Sequence, residues 1–248
     1  MSLILKNLHK AFGPQKVLRG VDLEIEFGKI TVIIGGSGSG KSVLLKHIVG
    51  LLKPDSGQIL LDGVDVNELR REELRTVRKR FGFLFQDAAL FDSMNVFENV
   101  AFPIREHSTH SAEKIAEIVK RKLEQVKLKD IERKFPSELS GGMRKRVGLA
   151  RATALDPEIV LYDEPTTGLD PVTSRAIDDL IVETQQDLKA TSVVISHDIP
   201  STLRIANNIA MLHDGKIVAQ GTPKEILNST NPIVKSFLEP VLSQIKVV

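Results

Sequence analysis

Apolar residues fall along this chain in short runs rich in Ile, Val and Leu, separated by turn residues or by stretches with helical spacing. Val21-Asp22-Leu23-Glu24-Ile25-Glu26-Phe27 alternates at period two, as a strand with one buried face should. With Leu3-Ile4-Leu5 and Val17-Leu18 ahead of it, residues 2–34 read as β, broken by turns at Gly13-Pro14 and Phe27-Gly28-Lys29. Lys29–Ile34, Ile159–Tyr162 and Ser192–Ser196 do not alternate, and such continuous runs suit strands buried on both faces. Gln58–Leu61 and Phe81–Phe85 add two more strands, the second ending at Gln86, and residues 208–212 and 216–220 form a hairpin around His213-Asp214-Gly215.

Helical spacing lies between these runs. Val43–Gly50 suits a buried helix, and residues 68–80 carry mixed charge around Leu69, Leu74 and Val77, as a solvated helix would. From Ser111 to Leu128, Ile115, Ile118, Val119, Leu123 and Val126 share one face, and Ser111 is a suitable helix start. Further helices are expected at Met143–Leu155, near 173–189 and 199–206, and in short pieces around 223–227 and 233–238. Strands alternating with helices predict an α/β fold with a mainly parallel sheet and helix crossovers. The expected division of this single domain is a β-rich core of residues 1–86 and 156–221, including an antiparallel β subdomain. A helical subdomain is inserted at 87–155, and a tail follows at 222–248. Val241–Val248 is apolar for a chain end, and two readings stand: docking on its own domain, or contact with another subunit.

Composition narrows the function classes. At 248 residues and 42% apolar the chain can build a full core. No cysteine is present, which removes disulfides, thiolate metal sites and a Cys nucleophile. A net charge of +2 leaves no electrostatic footprint for nucleic acid, so none is expected as a partner. No apolar run reaches the roughly 20 residues of a membrane-spanning helix, and the N-terminus lacks the pattern of a secretory signal. The expectation is an intracellular chain that meets a membrane only through a partner.

The densest chemistry is Gly35-Gly36-Ser37-Gly38-Ser39-Gly40-Lys41-Ser42, between the strand Lys29–Ile34 and the helix from Val43. Strand, glycine loop and helix is the context in which G-x-x-x-x-G-K-[ST] marks a P-loop. The glycines let successive N–H groups turn toward an anion, and the helix start adds roughly half a positive charge. Lys41 can reach β- and γ-phosphates, and the Ser42 hydroxyl can ligate Mg²⁺. The fold class is therefore a P-loop NTPase core, with ATP and Mg²⁺ as the expected ligands. Tyr162-Asp163-Glu164-Pro165 ends another buried strand in two acids, at the sheet edge where α/β folds bind ligands. Asp163 can hold Mg²⁺ through water, and Glu164 can orient or deprotonate an attacking water. Phe12 is either a core aromatic or a stacking surface for the base.

Leu139-Ser140-Gly141-Gly142-Met143, shortly before the acidic pair, resembles the signature of the ATP-binding cassette family. The order of features matches that family from residue 2 to about 225: Phe12, the loop Gly35–Ser42, Gln86, the signature, Asp163-Glu164, Gly168-Leu169-Asp170 and Ser196-His197. The resemblance implies that Gln86 touches Mg²⁺ or water, that His197 contacts the γ-phosphate, and that Asp170 lies at a dimer interface. It implies a head-to-tail homodimer in which Ser140, Gly141 and Gly142 of one copy close the nucleotide of the other. Two departures are visible: Met143 where the family usually has Gln, and Phe12 where Tyr is common. The first, with Arg144, Lys145, Arg146 and the stretch Ala89–Val100, looks like the ATPases of Mla-type phospholipid transport systems. The partners this implies are an integral membrane permease, a lipid-binding substrate protein and a small accessory protein, with the chain on the cytoplasmic face of the inner membrane. Phe91, Met94, Phe97 and Phe102 are then either subdomain core or the groove that grips the permease. The alternatives are the ATPase of another importer or exporter, or a soluble non-transport ATPase. Against the latter, the chain has one cassette and no sustained heptads.

Overall fold

The computed structural model describes residues 2–245, with the backbone alone for 241–245. The side chains of the apolar run Val241–Val248, read as a docking segment, therefore lie outside the described residues. The chain opens with β1 (Leu3–Phe12), β2 (Gln15–Ile25), β3 (Ile30–Ile34), α1 (Lys41–Ile48), β4 (Ser56–Leu61), β5 (Val64–Asp65), α2 (Arg71–Arg78) and β6 (Phe81–Leu84). It continues through α3 (Val96–His107), α4 (Ala112–Gln125), a 3₁₀ turn at Pro136–Glu138, α5 (Gly141–Ala152) and β7 (Ile159–Asp163). There follow α6 (Pro171–Leu188), β8 (Thr191–Ile195), α7 (Ile199–Ile205), β9 (Asn208–His213), β10 (Lys216–Gly221), α8 (Pro223–Leu227) and α9 (Pro232–Ile245). The backbone groups into two compact units: residues up to Arg78 with those from Val193 onward, and Lys79–Ser192.

The first unit holds an antiparallel sheet of strand order β2-β1-β4-β5. β1 turns into β2 through Gly13-Pro14, with Phe12 opposite Gln15 and Leu3 opposite Ile25. The alternating stretch that began at Val21 is the second half of this longer strand, because Lys16 and Leu18 already pair with Ala11 and Lys10. Leu3, Leu5, Leu8, Val21, Leu23 and Ile25 are buried, each worth roughly 2 kcal/mol of transfer free energy. In the same unit β3 runs parallel to β9, Thr31 opposite Asn208 and Ile34 opposite Met211, and β10 returns antiparallel to β9. All five residues of β3 are buried, which is why its sequence is continuously β-branched, Thr31 included, rather than alternating between apolar and charged. No residue of α2 is buried, in keeping with its mixed charges.

In the second unit β6 runs parallel to β7, Phe81 opposite Ile159 and Leu84 opposite Tyr162. α3 starts at a capping box in which the Asn95 side chain accepts from Glu98 N–H at 2.8 Å and Glu98 accepts from Asn95 N–H at 2.9 Å. Asn99, fully buried, donates to the carbonyls of Phe91, Met94 and Asn95 and accepts from Phe91 N–H at 2.8 Å, which locks the loop before the helix. α4 is capped by Ser111 and buries Ile115, Val119 and Leu123, the face its periodicity predicts. α5 starts two residues before the expected Met143, at Gly141, because the Ser140 hydroxyl caps the helix by accepting from Met143 N–H. The molecule thus has the α/β class expected, with parallel pairs β3–β9 and β6–β7 beside an antiparallel β sheet. Among the described residues no helix is long and apolar enough to cross a membrane.

Candidate active site

The glycine loop in the first unit joins β3 to α1, and its shape rests on Gly35. That residue has φ +153°, and a Cβ there would lie 2.2 Å from the carbonyl oxygen of Leu212 on β9. The loop can pass that strand only without a side chain. Replacing Gly35 with Ala is expected to lower stability by about 3 kcal/mol, read as a fall in Tm, with loss of nucleotide binding in the refolded protein. An unchanged Tm would show that the loop has room to move. Gly40 caps α1 at φ +99°, and Leu44 N–H donates to its carbonyl at 2.8 Å. The buried Lys41 ammonium donates to the carbonyls of Gly35 and Gly36, each at 2.9 Å. A fixed positive charge therefore sits within the loop at the start of a helix, an arrangement that suits a phosphate.

Two other predicted residues belong to this unit. Ser196 N–H donates to the carbonyl of Ile33 at 3.3 Å, so the chain leaving β8 lies against the end of β3. The next residue is His197, exposed, followed by Asp198, which caps α7 by accepting from Ser201 N–H at 3.0 Å. Phe12 ends β1 with 46% of its surface exposed and the Lys10 ammonium 5.5 Å from its ring centroid. Of the two readings for Phe12, a core aromatic is excluded by that exposure.

The second unit holds the acids and the signature. β7 is buried throughout and ends at Asp163, a carboxylate only 6% exposed. Glu164 then takes a left-handed backbone with φ +46°, uncommon for a residue with a Cβ. Its carboxylate accepts from the Thr167 hydroxyl at 2.9 Å, and its carbonyl accepts from Thr167 N–H at 3.2 Å. In the parallel register Leu84 lies opposite Tyr162, and Gln86 and Glu164 each come two residues after that pair, beyond the ends of β6 and β7. The buried Lys145 ammonium, on α5, donates to the carbonyls of both Gln86 and Glu164. Burial pushes this ammonium's pKa down, while the carboxylates of Asp87, Glu164 and Asp163 push it back up.

Ser140 is exposed at the N-terminus of α5, followed by Gly141 and the buried Gly142. A Cβ on Gly142 would lie 2.5 Å from Thr173 Cγ2, so α6 packs closely on the signature and a side chain there would have to displace Thr173. Asp170 caps α6, accepting from Val172 and Thr173 N–H at 3.0 Å, and the Thr173 side chain together with these backbone bonds holds its carboxyl below the usual range. The predicted interface residue thus has a structural task within its own chain. Gln86, the acidic pair, the signature and Asp170 are brought together through Lys145 and α6 in this unit. The glycine loop and His197 are brought together in the other. Sequence reasoning missed Lys145 and Thr167 as partners of Glu164. In the sequence Lys145 stands out only as one of three basic residues after the signature.

Residues 18–167 match the family model described as "ABC transporter". The chain belongs to the ABC transporter family. This ABC chain is 46% identical over 235 residues to the intermembrane phospholipid transport system ATP-binding protein MlaF of Haemophilus influenzae, covering 95% of this chain and 89% of that one. MlaF of Escherichia coli is 44% identical over 229 residues, with 92% and 85% covered. A probable ribonucleotide transport ATP-binding protein, mkl, of Mycobacterium leprae is 44% identical over 238 residues, with 96% and 69% covered. Among solved structures, a dimeric ATP-binding cassette in a post-hydrolysis state bound to ADP and Pi superposes with a TM-score of 0.82 at 33% identity, covering 89% of this chain and 98% of that one. The cassette cbiO1 of Clostridium perfringens, part of an ABC transporter complex, gives 0.85 at 30% identity, with 99% and 98% covered. This ABC chain is an ATPase of the transporter type, binding nucleotide on the P-loop fold expected from its sequence.

Proposed function

We propose that two copies of this ATPase work head to tail to drive a membrane permease that moves phospholipid between the inner and outer membranes. The observation that carries the dimer is the exposed, Ser140-capped start of α5, a second helix N-terminus of the kind that suits an anion, besides that of the glycine loop. In this reading the loop Gly35–Ser42 cradles the phosphates of ATP, Phe12 stacks on the base, and the partner copy's Ser140–Gly142 amides close over the γ-phosphate. Glu164 orients or deprotonates the attacking water, and His197 holds the γ-phosphate. Ser42, Gln86 and Asp163 offer only hard oxygen donors, as Mg²⁺ requires, and would hold it by hydroxyl, amide oxygen and carboxylate. The ion would neutralise phosphate charge when bound. Nucleotide binding favours the closed dimer, closure shifts the permease, and hydrolysis resets both.

The cargo reading rests on the MlaF relatives, and the mkl relative favours ribonucleotide as the second reading. The permease, a lipid-binding substrate protein and a small accessory protein would be the partners, placing the ATPase on the cytoplasmic face of the inner membrane. Purification from native membranes with analysis of the bound cargo decides between the readings. Phospholipid with a permease supports the first, and nucleotide without lipid overturns it. We read residues 87–155 as a helical subdomain whose block 87–106 grips the permease. Phe91 and Phe102 there are 43% and 36% exposed, with ring centroids 5.1 Å apart, so both form surface. Phe91→Asp is expected to release the permease on affinity purification while basal ATP turnover stays within about twofold, since a surface change away from the site costs little. Retention of the permease would remove Phe91 from the contact.

A further inference from the structure

We infer that Lys145 is a positioning residue for hydrolysis, tying the signature helix, the segment after Gln86 and the acidic strand end into one body. Its side chain is 6% exposed, and its ammonium donates to the carbonyl oxygens of Gln86 and, at 3.4 Å, of Glu164. These are main-chain oxygens of two separate segments, each carrying a residue placed in the chemistry. Lys145 lies four residues after Gly141, one turn along α5, on the same face of the helix. Any shift at the signature is therefore passed to both carbonyls through a single side chain.

Two further observations make this more than a buried amine finding partners. Glu164 holds a left-handed backbone, which persists only where its surroundings over-determine it. Thr167 supplies two restraining bonds and Lys145 another. On the other side, α5 grips the segment after Gln86 again through Arg151, whose guanidinium donates to the carbonyls of Ala88 at 2.7 Å and Ala89 at 2.8 Å. Both alanines also have positive φ, +60° and +48°. One helix thus holds three strained or functional points of this loop, at Gln86, Ala88 and Ala89, and Lys145 extends the grip to the catalytic acid.

The test uses the full-length chain with Lys145→Met, which keeps volume and flexibility but removes the donor, and Lys145→Arg, which keeps the charge. The inference builds on the ATPase activity, so wild-type turnover is the control; a wild type without turnover would count against that activity and leave the exchange measurement intact. For Met the expected result is kcat lower by roughly 10- to 100-fold, the scale of a misplaced catalytic group. KM for ATP and the nucleotide Kd should stay within about twofold, because the glycine loop is not involved. Arg should recover most of kcat. Hydrogen exchange should quicken in residues 85–90 and 163–168 of the Met variant and remain unchanged in 35–42. An unaltered kcat, a joint rise of KM and Kd with the loss of kcat, an Arg variant as impaired as Met, or exchange unchanged in both segments would each overturn it.

Discussion

Replacing Glu164 with Gln is expected to stop ATP turnover while leaving ATP binding intact, and to collect the protein as a closed dimer. The amide has the shape of the carboxylate and its oxygen can still accept from the Thr167 hydroxyl, so the local bonds survive. The backbone at φ +46° is no harder for Gln than for Glu, and its carbonyl keeps the bonds from Thr167 and Lys145. What disappears is a proton acceptor, and general-base catalysis contributes about 10²–10⁴-fold. A kcat reduced on that scale, with the nucleotide Kd unchanged by calorimetry and a doubled mass on ATP addition by sedimentation, is the expected set. Turnover within a few-fold of wild type would take the base role from Glu164. A strictly monomeric variant at saturating ATP would end the head-to-tail scheme.

Lys41→Ala acts one step earlier, on binding itself. The ammonium is buried in the loop and bonded to the carbonyls of Gly35 and Gly36, so its removal takes away a positive charge and two restraints together. Hydrogen bonds to a charged group are worth about 1.5–3 kcal/mol each, and tenfold in affinity corresponds to about 1.4 kcal/mol. A rise of roughly 100-fold in the Kd for ATP is therefore expected, with the stabilisation of Tm by ATP lost at concentrations that protect the wild type. Arg is not expected to restore binding, because its planar fork does not fit where a compact ammonium reaches two neighbouring carbonyls. Undiminished affinity in the alanine variant would show that the loop amides alone hold the phosphates.

The two substitutions separate the steps that the fold keeps apart in sequence. Lys41 opens α1 directly after the glycine loop, and Glu164 follows the last residue of β7. Binding without turnover and impaired binding are then distinct outcomes, which no single change in the loop would give.

Much of this was legible in the residues. Period-two alternation from Val21, the β-branched run Ile30–Ile34, the apolar run Ile159–Tyr162, and the spacing in Ser111–Leu128 each reflect which faces a local element buries, and the described elements follow them. The glycine loop, the acidic pair and the signature were legible for a related reason: each is a contiguous stretch whose chemistry depends on neighbours in the chain. Less accessible were boundaries set by pairing with a neighbouring strand or by a cap. β2 begins at Gln15 because β1 lies beside it, and α5 begins at Gly141 because of the Ser140 hydroxyl.

By itself the sequence determined the α/β class, the phosphate loop and the membership of a transporter ATPase family, since all three depend on local pattern and on order along the chain. Only the tertiary structure decided why Gly35 admits no side chain against the Leu212 carbonyl and why a side chain at Gly142 would displace Thr173, each facing atoms of an element far away in sequence. It alone decided that Phe91 and Phe102 form surface rather than core, and that Lys145 joins Gln86 to Glu164. Such contacts depend on which segments the fold packs together, and a side chain carries no mark of the distant carbonyl it will meet.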